Sequence, residues 1–256
     1  MNPTGGIDDL IAALALPADT RVERRVPKKL LLEQGAPTAA DKRQIQDGIE
    51  ELAWVAALKP NNIGVPVFRD EVREYLEIAV LTAILRSAAK TMRLTELIHR
   101  AIPYPIVLVT AQGDGVNLSL AHKRWSQGQT GAVVIEDVRR TVPLRPDSLA
   151  PNEEAFLGSL ALSGLPTRDL YALYQGWLDR VTALEAATIT GAFAVPDTAE
   201  HAEGQREALA NHARLQRDIA TLRAQAQREK QVNRRVELNL AIKRLETELT
   251  ATRKAL

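Results

Sequence analysis

The chemistry-bearing residues of this chain are few. His122-Lys123-Arg124-Trp125 sets three basic side chains beside an indole, and Arg139-Arg140 follows on what the pattern predicts is the next strand. Cations beside an aromatic ring can hold a phosphate backbone and stack a base. That makes Lys123, Arg124, Trp125, Arg139 and Arg140 nucleic-acid-binding candidates, with the basic pair Arg234-Arg235 further along. Only 4% of the chain is aromatic, which argues against a platform of several rings. The four histidines, His99, His122, His201 and His212, include no HExxH or HxH pattern, and cysteine is absent. A zinc site of standard spacing is therefore not expected. Gly113-Asp114-Gly115 lacks a third glycine and precedes a strand, so it fails as a dinucleotide fingerprint. There is no GxxxxGK[ST] and no GxSxG. A metal-dependent nuclease would want an acid plus an acid-x-Lys triplet on neighbouring strands. Glu77-Ile78-Ala79 lacks the lysine, and the paired acids Glu136-Asp137 point to opposite faces of a strand. No catalytic residue, metal or cofactor is assigned.

These residues must be positioned by a body of moderate size. The chain has 256 residues, 45% hydrophobic and 25% charged, which fits a folded protein of one or two domains. No apolar run reaches the ~18 residues of a membrane span, and Met1–Asp9 lacks a secretory pattern, so a cytoplasmic location is expected. Residues 1–40 are interrupted by proline and glycine and read as an irregular segment with a short helix through Asp8–Leu16. Residues 41–150 read as an α+β domain. Ile45, Ile49, Leu52 and Ala56 step 4-3-4 and predict one helix over Asp41–Leu58, ended by Lys59-Pro60-Asn61-Asn62. Alternation predicts a strand in Tyr75–Leu85, and Leu94–Ala101 reads as a short helix. The apolar run Ile106–Thr110 predicts a central strand, and Asp114-Gly115 a hairpin turn. Val116, Leu118 and Leu120 predict a strand whose other face, with Asn117 and Ser119, is wet. A glycine-containing loop over Ser126–Gly131 leads to a strand from Val133 to Val142. The fold class is thus α+β: a small, mostly antiparallel sheet with flanking helices.

Residues 151–196 read as a helical subdomain. Leu170, Tyr174, Trp177, Val181 and Leu184 form its buried stripe, with Thr167 as N-cap. Residues 197–256 read as a long coiled-coil-like helix or a helical hairpin, opened by the capping spacing of Asp197 and Glu200. Its two seams are Leu215, Ile219, Leu222 and Ala226, then Leu238, Ile242, Leu245 and Leu249. They point roughly 140° apart on a straight helix at about 100° per residue. The lack of Gly or Pro favours one continuous helix over a hairpin turning near Gln231–Arg235. From Gly204 onward twelve Lys and Arg stand against six Asp and Glu, a charge of +6, which leaves −5 for residues 1–203 of a chain whose total is +1.

Several segments resemble a bacterial domain-of-unknown-function family, number 4391 in that series. They are Arg25-Val26-Pro27-Lys28-Lys29, Ile49 to Trp54 with Leu58 to Ile63, Ala101 to Ile106, Ala121 to Arg124, and Arg228 to Asn239. The resemblance implies an accessory role in defence against phage, beside helicase or methyltransferase partners, and supplies no catalytic residues. From the residues themselves the leading expectation is a non-enzymatic accessory or scaffold protein. Leu215, Ile219, Leu222, Leu238, Ile242, Leu245 and Leu249 would bind a protein partner or a second copy. A nucleic-acid-binding module and a cryptic metal-dependent nuclease are the alternatives. No membrane partner is expected.

Overall fold

The computed structural model describes residues 3–128 and 132–256; the expected loop at Ser126–Gly131 falls partly outside the described residues. The elements run α1 (Pro3–Ala13), β1 (Arg21–Arg25), α2 (Lys28–Gln34), α3 (Ala39–Gly48), β2 (Ile49–Leu58), α4 (Pro60–Ile63), β3 (Phe68–Arg69), β4 (Glu74–Tyr75) and β5 (Ile78–Leu85). They continue with α5 (Thr91–Ala101), β6 (Ile106–Gln112), β7 (Gly115–Trp125), β8 (Val133–Arg140), α6 (Pro151–Ser159), α7 (Leu170–Thr190), α8 (Ala199–Arg228) and α9 (Val232–Arg253). The chain divides into two compact units, Met1–Val181 and Thr182–Leu256. The N-terminal segment expected to be irregular carries α1, β1 and α2.

The first unit is an α+β body. Its six-stranded sheet has the order β1-β2-β5-β6-β7-β8, antiparallel throughout except for the parallel pair β5–β6, which α5 connects. On one face Leu31 of α2, Ile45 of α3 and Leu94, Leu97 and Ile98 of α5 pack on Leu52, Leu81, Ala83 and Leu108. The opposite face, with Val107, Val109, Leu118 and Leu120, is buried too. There α1 packs on β6 and β7. The Tyr174 hydroxyl of α7 accepts from Ala121 N at 2.9 Å and donates to Ile106 O at 2.8 Å.

Two expectations for the body are corrected. The helix predicted over Asp41–Leu58 ends at Gly48, and Ile49–Leu58 is the strand β2. The register of β2 against β5 shifts between Ile49 and Glu51 and again between Trp54 and Ala56. Each bulge inserts one residue and resets the alternation. The first bulge returns Leu52 to the face of Ile49 after three residues, and the second turns Ala56 to the opposite face, across from Val80; buried residues of both faces thus recur at three and four and imitate a helix. The second correction concerns β7, whose Asn117 and Ser119 were expected to be wet. Both are buried: Asn117 Nδ2 donates to Thr141 O at 2.8 Å, and Ser119 Oγ meets His99 Nε2 of α5 at 3.1 Å.

Helix starts differ in detail from expectation. Asp169, not Thr167, caps α7 by accepting from Ala172 N at 2.7 Å. Thr198, not the Asp197–Glu200 pair, caps α8 through His201 N at 3.1 Å.

The second unit contains a helical hairpin, not the continuous helix. Helix α8 ends at Arg228 and α9 begins at Val232. Glu229 and Gln231 are extended at φ −73° and −82°, and the Glu229 carboxylate accepts from Gln231 N at 2.8 Å. All these φ values are negative, so the turn needs neither Gly nor Pro. The two seams then lie on different helices and face each other. Ile219, Ala226 and Ile242 form the buried centre, with Leu222, Leu238, Leu245 and Leu249 packed around it. Arg223–Glu246 at 2.6 Å and Arg214–Glu248 at 3.3 Å cross the pair at its surface.

Candidate functional site

The residues around His122 surround a cleft of about 380 Å³. Its walls come from Arg73, Glu74, Leu76 and Glu77 around β4 and the start of β5, Pro103 and Tyr104 before β6, and Lys123, Arg124 and Trp125 at the end of β7. Three predicted residues therefore meet at one site. Trp125 is 37% exposed, and Arg124 lies 3.9 Å from Glu136. Arg73 reaches the same carboxylate at 3.3 Å and sits over the Tyr171 ring, 5.2 Å from its centroid.

Lys123 differs from what its type suggests. It is 2% exposed and donates to the carbonyls of His99 and, at 2.9 Å, Ile102. Those carbonyls close the C-terminal end of α5, where a cation is favoured. Burial pulls its amine down to about 7. Lys123 is thus a pin between β7 and α5, not a solvated phosphate contact. The neighbouring His99 is fully buried, and desolvation holds its imidazole well below the usual range, so it is neutral.

Arg139 and Arg140 do not join Arg124 as one patch. Neighbours on β8 point to opposite sides of the sheet. Arg139 lies 3.4 Å from Asp137, whereas Arg140 lines a second cleft beside the start of α5. Arg234 and Arg235 stand at the start of α9, with Arg234 3.8 Å from Glu229. Of the partner candidates, Leu215 is fully buried, and Ile219, Leu222, Leu238, Ile242, Leu245 and Leu249 form the seam of the hairpin.

A polar chain behind the cleft escaped the sequence reading. The Tyr75 hydroxyl meets His122 Nδ1, His122 Nε2 meets Gln175 Oε1 at 2.7 Å, and Gln175 Nε2 donates to Asp179 at 2.7 Å. Because the Gln175 oxygen can only accept, His122 carries its proton on Nε2, and Tyr75 donates to Nδ1. Burial pushes the Tyr75 phenol far up, so it remains a donor. Phe68 and Tyr171 stack at 4.9 Å, as do Tyr171 and His122. This cluster fastens α7 to β7. The only local signal for it was His122 itself, because its partners lie 47 and 53 residues away. Glu77 is held by Lys59 at 3.0 Å. Among the described residues no group of three His, Asp or Glu is placed to hold a metal ion.

One apolar row is left open. Val232, Val236 and Leu240 of α9 are 63%, 51% and 55% exposed. They follow one another at four-residue spacing and so share a face of the helix. No helix is long and apolar enough to cross a membrane among the described residues.

No curated protein and no solved structure matches the chain. A family model described as a domain of unknown function, DUF4391, matches residues 14–249. The matched span takes in the sheet, the cleft and nearly the whole hairpin, and the chain belongs to the DUF4391 family.

Proposed function

We propose that the protein is a non-enzymatic accessory component that docks a protein partner through the open face of α9. The row Val232, Val236 and Leu240 carries this reading, because the opposite face of the same helix is already satisfied against α8. Isolated exposed apolar residues are ordinary, but an aligned row on a helix suits the groove of a partner or the apolar face of a second helix. Arg228, Lys230, Arg234 and Arg235 flank the start of the row, against Glu229 and Glu237. An acidic amphipathic partner is the complement of that surface. A place among helicases and methyltransferases in phage defence, as the family resemblance implies, accords with such a role. The test is recovery of the native complex from cells with the wild-type chain and with the double variant V236E and L240E. Both side chains face water, so the variant keeps its hairpin. A partner recovered with wild type and lost with the variant supports the reading; equal recovery, or none, overturns it.

Nucleic-acid binding at the cleft is a second reading. It is favoured by Trp125, whose exposed indole stands beside Arg124 at the cleft mouth. Quenching of tryptophan fluorescence by single-stranded DNA, lost in W125F and weakened steeply by salt, would support it. No quenching at low salt would remove it.

A further inference from the structure

Strand β8 is one edge of the six-stranded sheet, and among the described residues no strand pairs with its outer side. It runs eight residues, Val133–Arg140, and none of them is buried. Its pairing with β7 fixes which backbone groups face outward. Thr141 N, just past the strand, donates to Leu118 O at 2.9 Å, so these two residues form a hydrogen-bonded pair. Bonded and non-bonded pairs alternate along an antiparallel ladder. Ala121 opposite Val138, and Ser119 opposite Arg140, are therefore non-bonded pairs. The Tyr174 hydroxyl, which engages both N and O of Ala121, confirms that these groups point away from β8. Val138 and Arg140 thus turn their N–H and C=O outward, where among the described residues no backbone partner meets them.

Bare edges invite pairing, and proteins blunt those that should stay single. The opposite edge, β1, is blunted: it has five residues, all but one charged, its register on β2 is irregular, and Glu23 sits at φ +49°. On the longer β8 the charges are ordered. Glu136-Asp137-Val138-Arg139-Arg140 reads acid, acid, apolar, base, base, so the segment is its own complement when run backwards. Consider two β8 strands paired antiparallel and centred on Val138. The two Val138 residues exchange N–H and C=O bonds, Asp137 of each copy falls opposite Arg139 of the other, and Arg140 falls opposite Glu136. The neighbouring registers that keep outward groups face to face put Arg139 opposite Arg139, or Asp137 opposite Asp137, and like charges directly across a ladder repel. A register shift between Ala121 and Lys123 sets Glu136 and Asp137 together opposite His122. Asp137 nonetheless stays on the face of Arg139, 3.4 Å away, and its side chain is 83% exposed, with room for a second guanidinium.

We propose that the protein self-associates through β8, two copies pairing antiparallel about Val138 so that their sheets become one. The contact is isologous: Asp137 meets Arg139 and Arg139 meets Asp137, as a two-fold axis requires. The occupant of the edge is a second copy and not a foreign strand, because the charge complement lies within the segment itself. The edge belongs to the first unit, and the inference does not rest on docking through α9.

Sedimentation velocity of the full chain over a concentration series tests this. Wild type should move from 28.1 kDa towards twice that mass as concentration rises. Asp137→Arg and Arg139→Asp each set like charges across the axis, and each should weaken association by about tenfold or more, because two cross-strand pairs change sign at once. The double variant restores opposite charges and should restore the dimer, and so should an equal mixture of the two single variants. Val138→Pro removes the outward N–H and leaves the ladder to β7 alone, which an edge strand accepts, so it should give folded monomers. Circular dichroism checks the fold, and the exposed Asp137 keeps the test valid if the proline variant does not fold. A wild type that stays monomeric throughout the series, a dimer left intact by D137R, or a double variant and a mixture that associate no better than the single variants would each overturn the proposal.

Discussion

Replacing Lys123 by methionine should change how stability depends on pH, and the size of the change can be worked out. The ammonium is buried between β7 and α5, and burial lowers its pKa from 10.5 to about 7. Below about pH 7 the side chain is charged in both the folded and unfolded states, and folding bears the full cost of burying that charge. As pH rises from about 7 towards the unfolded value, the unfolded chain binds more protons than the folded one. Stability therefore increases with pH across that window. The full shift of ~3.5 units corresponds to ~5 kcal/mol, and linkage puts about 2 kcal/mol of it between about pH 7 and pH 9. The carbonyls of His99 and Ile102 favour the charged form, so these figures are ceilings. Neutral His99 contributes nothing in this range. The assay is urea unfolding of wild type and K123M at a series of pH values. Surface groups common to both proteins cancel in the difference. The stability of wild type relative to K123M should grow by one to two, roughly, in kcal/mol from neutral to alkaline pH. A constant gap, or one that narrows as pH rises, would show that Lys123 keeps its charge and would refute the linkage.

Three other perturbations read the same architecture. Tyr174→Phe removes the hydroxyl that serves Ala121 N and Ile106 O and leaves a buried amide unpaired; a loss of about 2 kcal/mol in urea unfolding is expected, and a neutral result would mean water replaces it. Ile242→Ala opens a cavity in the hairpin seam, at a cost of roughly 2–4 kcal/mol. Hydrogen exchange should then accelerate in α8 and α9, and unchanged protection there would contradict the packing. Asp41 is held at about 2 by hydrogen bonds from Arg93 and Thr38, so its folded pKa lies below the unfolded one. Its contribution is present above about pH 4 and disappears as pH falls towards about 2; D41N should flatten the acid limb of the stability profile.

The legible parts of the fold were those where a strand or helix keeps its own period. Ile106–Gln112 is an unbroken apolar run covered on both faces, and the stripe of α7 steps regularly from Leu170 to Leu184. The rest was hidden by particular residues with identifiable causes. A bulge after Ile49 and burial on both faces gave β2 a helical spacing. The turn at Glu229–Gln231 uses negative φ angles, so no Gly or Pro announces it. Asn117 and Ser119 look solvated because alternation shows that a strand has two faces, not which of them a helix covers. Lys123 looks like a surface base because its acceptors, His99 O and Ile102 O, are delivered by another element.

The two clefts extend the same point to function. Arg124 and Arg140 are sixteen positions apart and both basic, yet the sheet assigns them to different sites: Arg124 stands beside Trp125, and Arg140 beside the start of α5. Lys90 and Thr91 stand at the start of α5, Gln112 at the end of β6 and Arg140 at the end of β8, so no local motif joins them. The parallel step from β5 through α5 to β6 does. It brings a helix start and the last residue of the edge strand β8 to one place. A charge total near zero therefore says little here. Arg140 itself lines two clefts, one with Lys90 and one with Glu96, Glu136 and Asp137, so the elements around it and not its charge alone decide what it can meet.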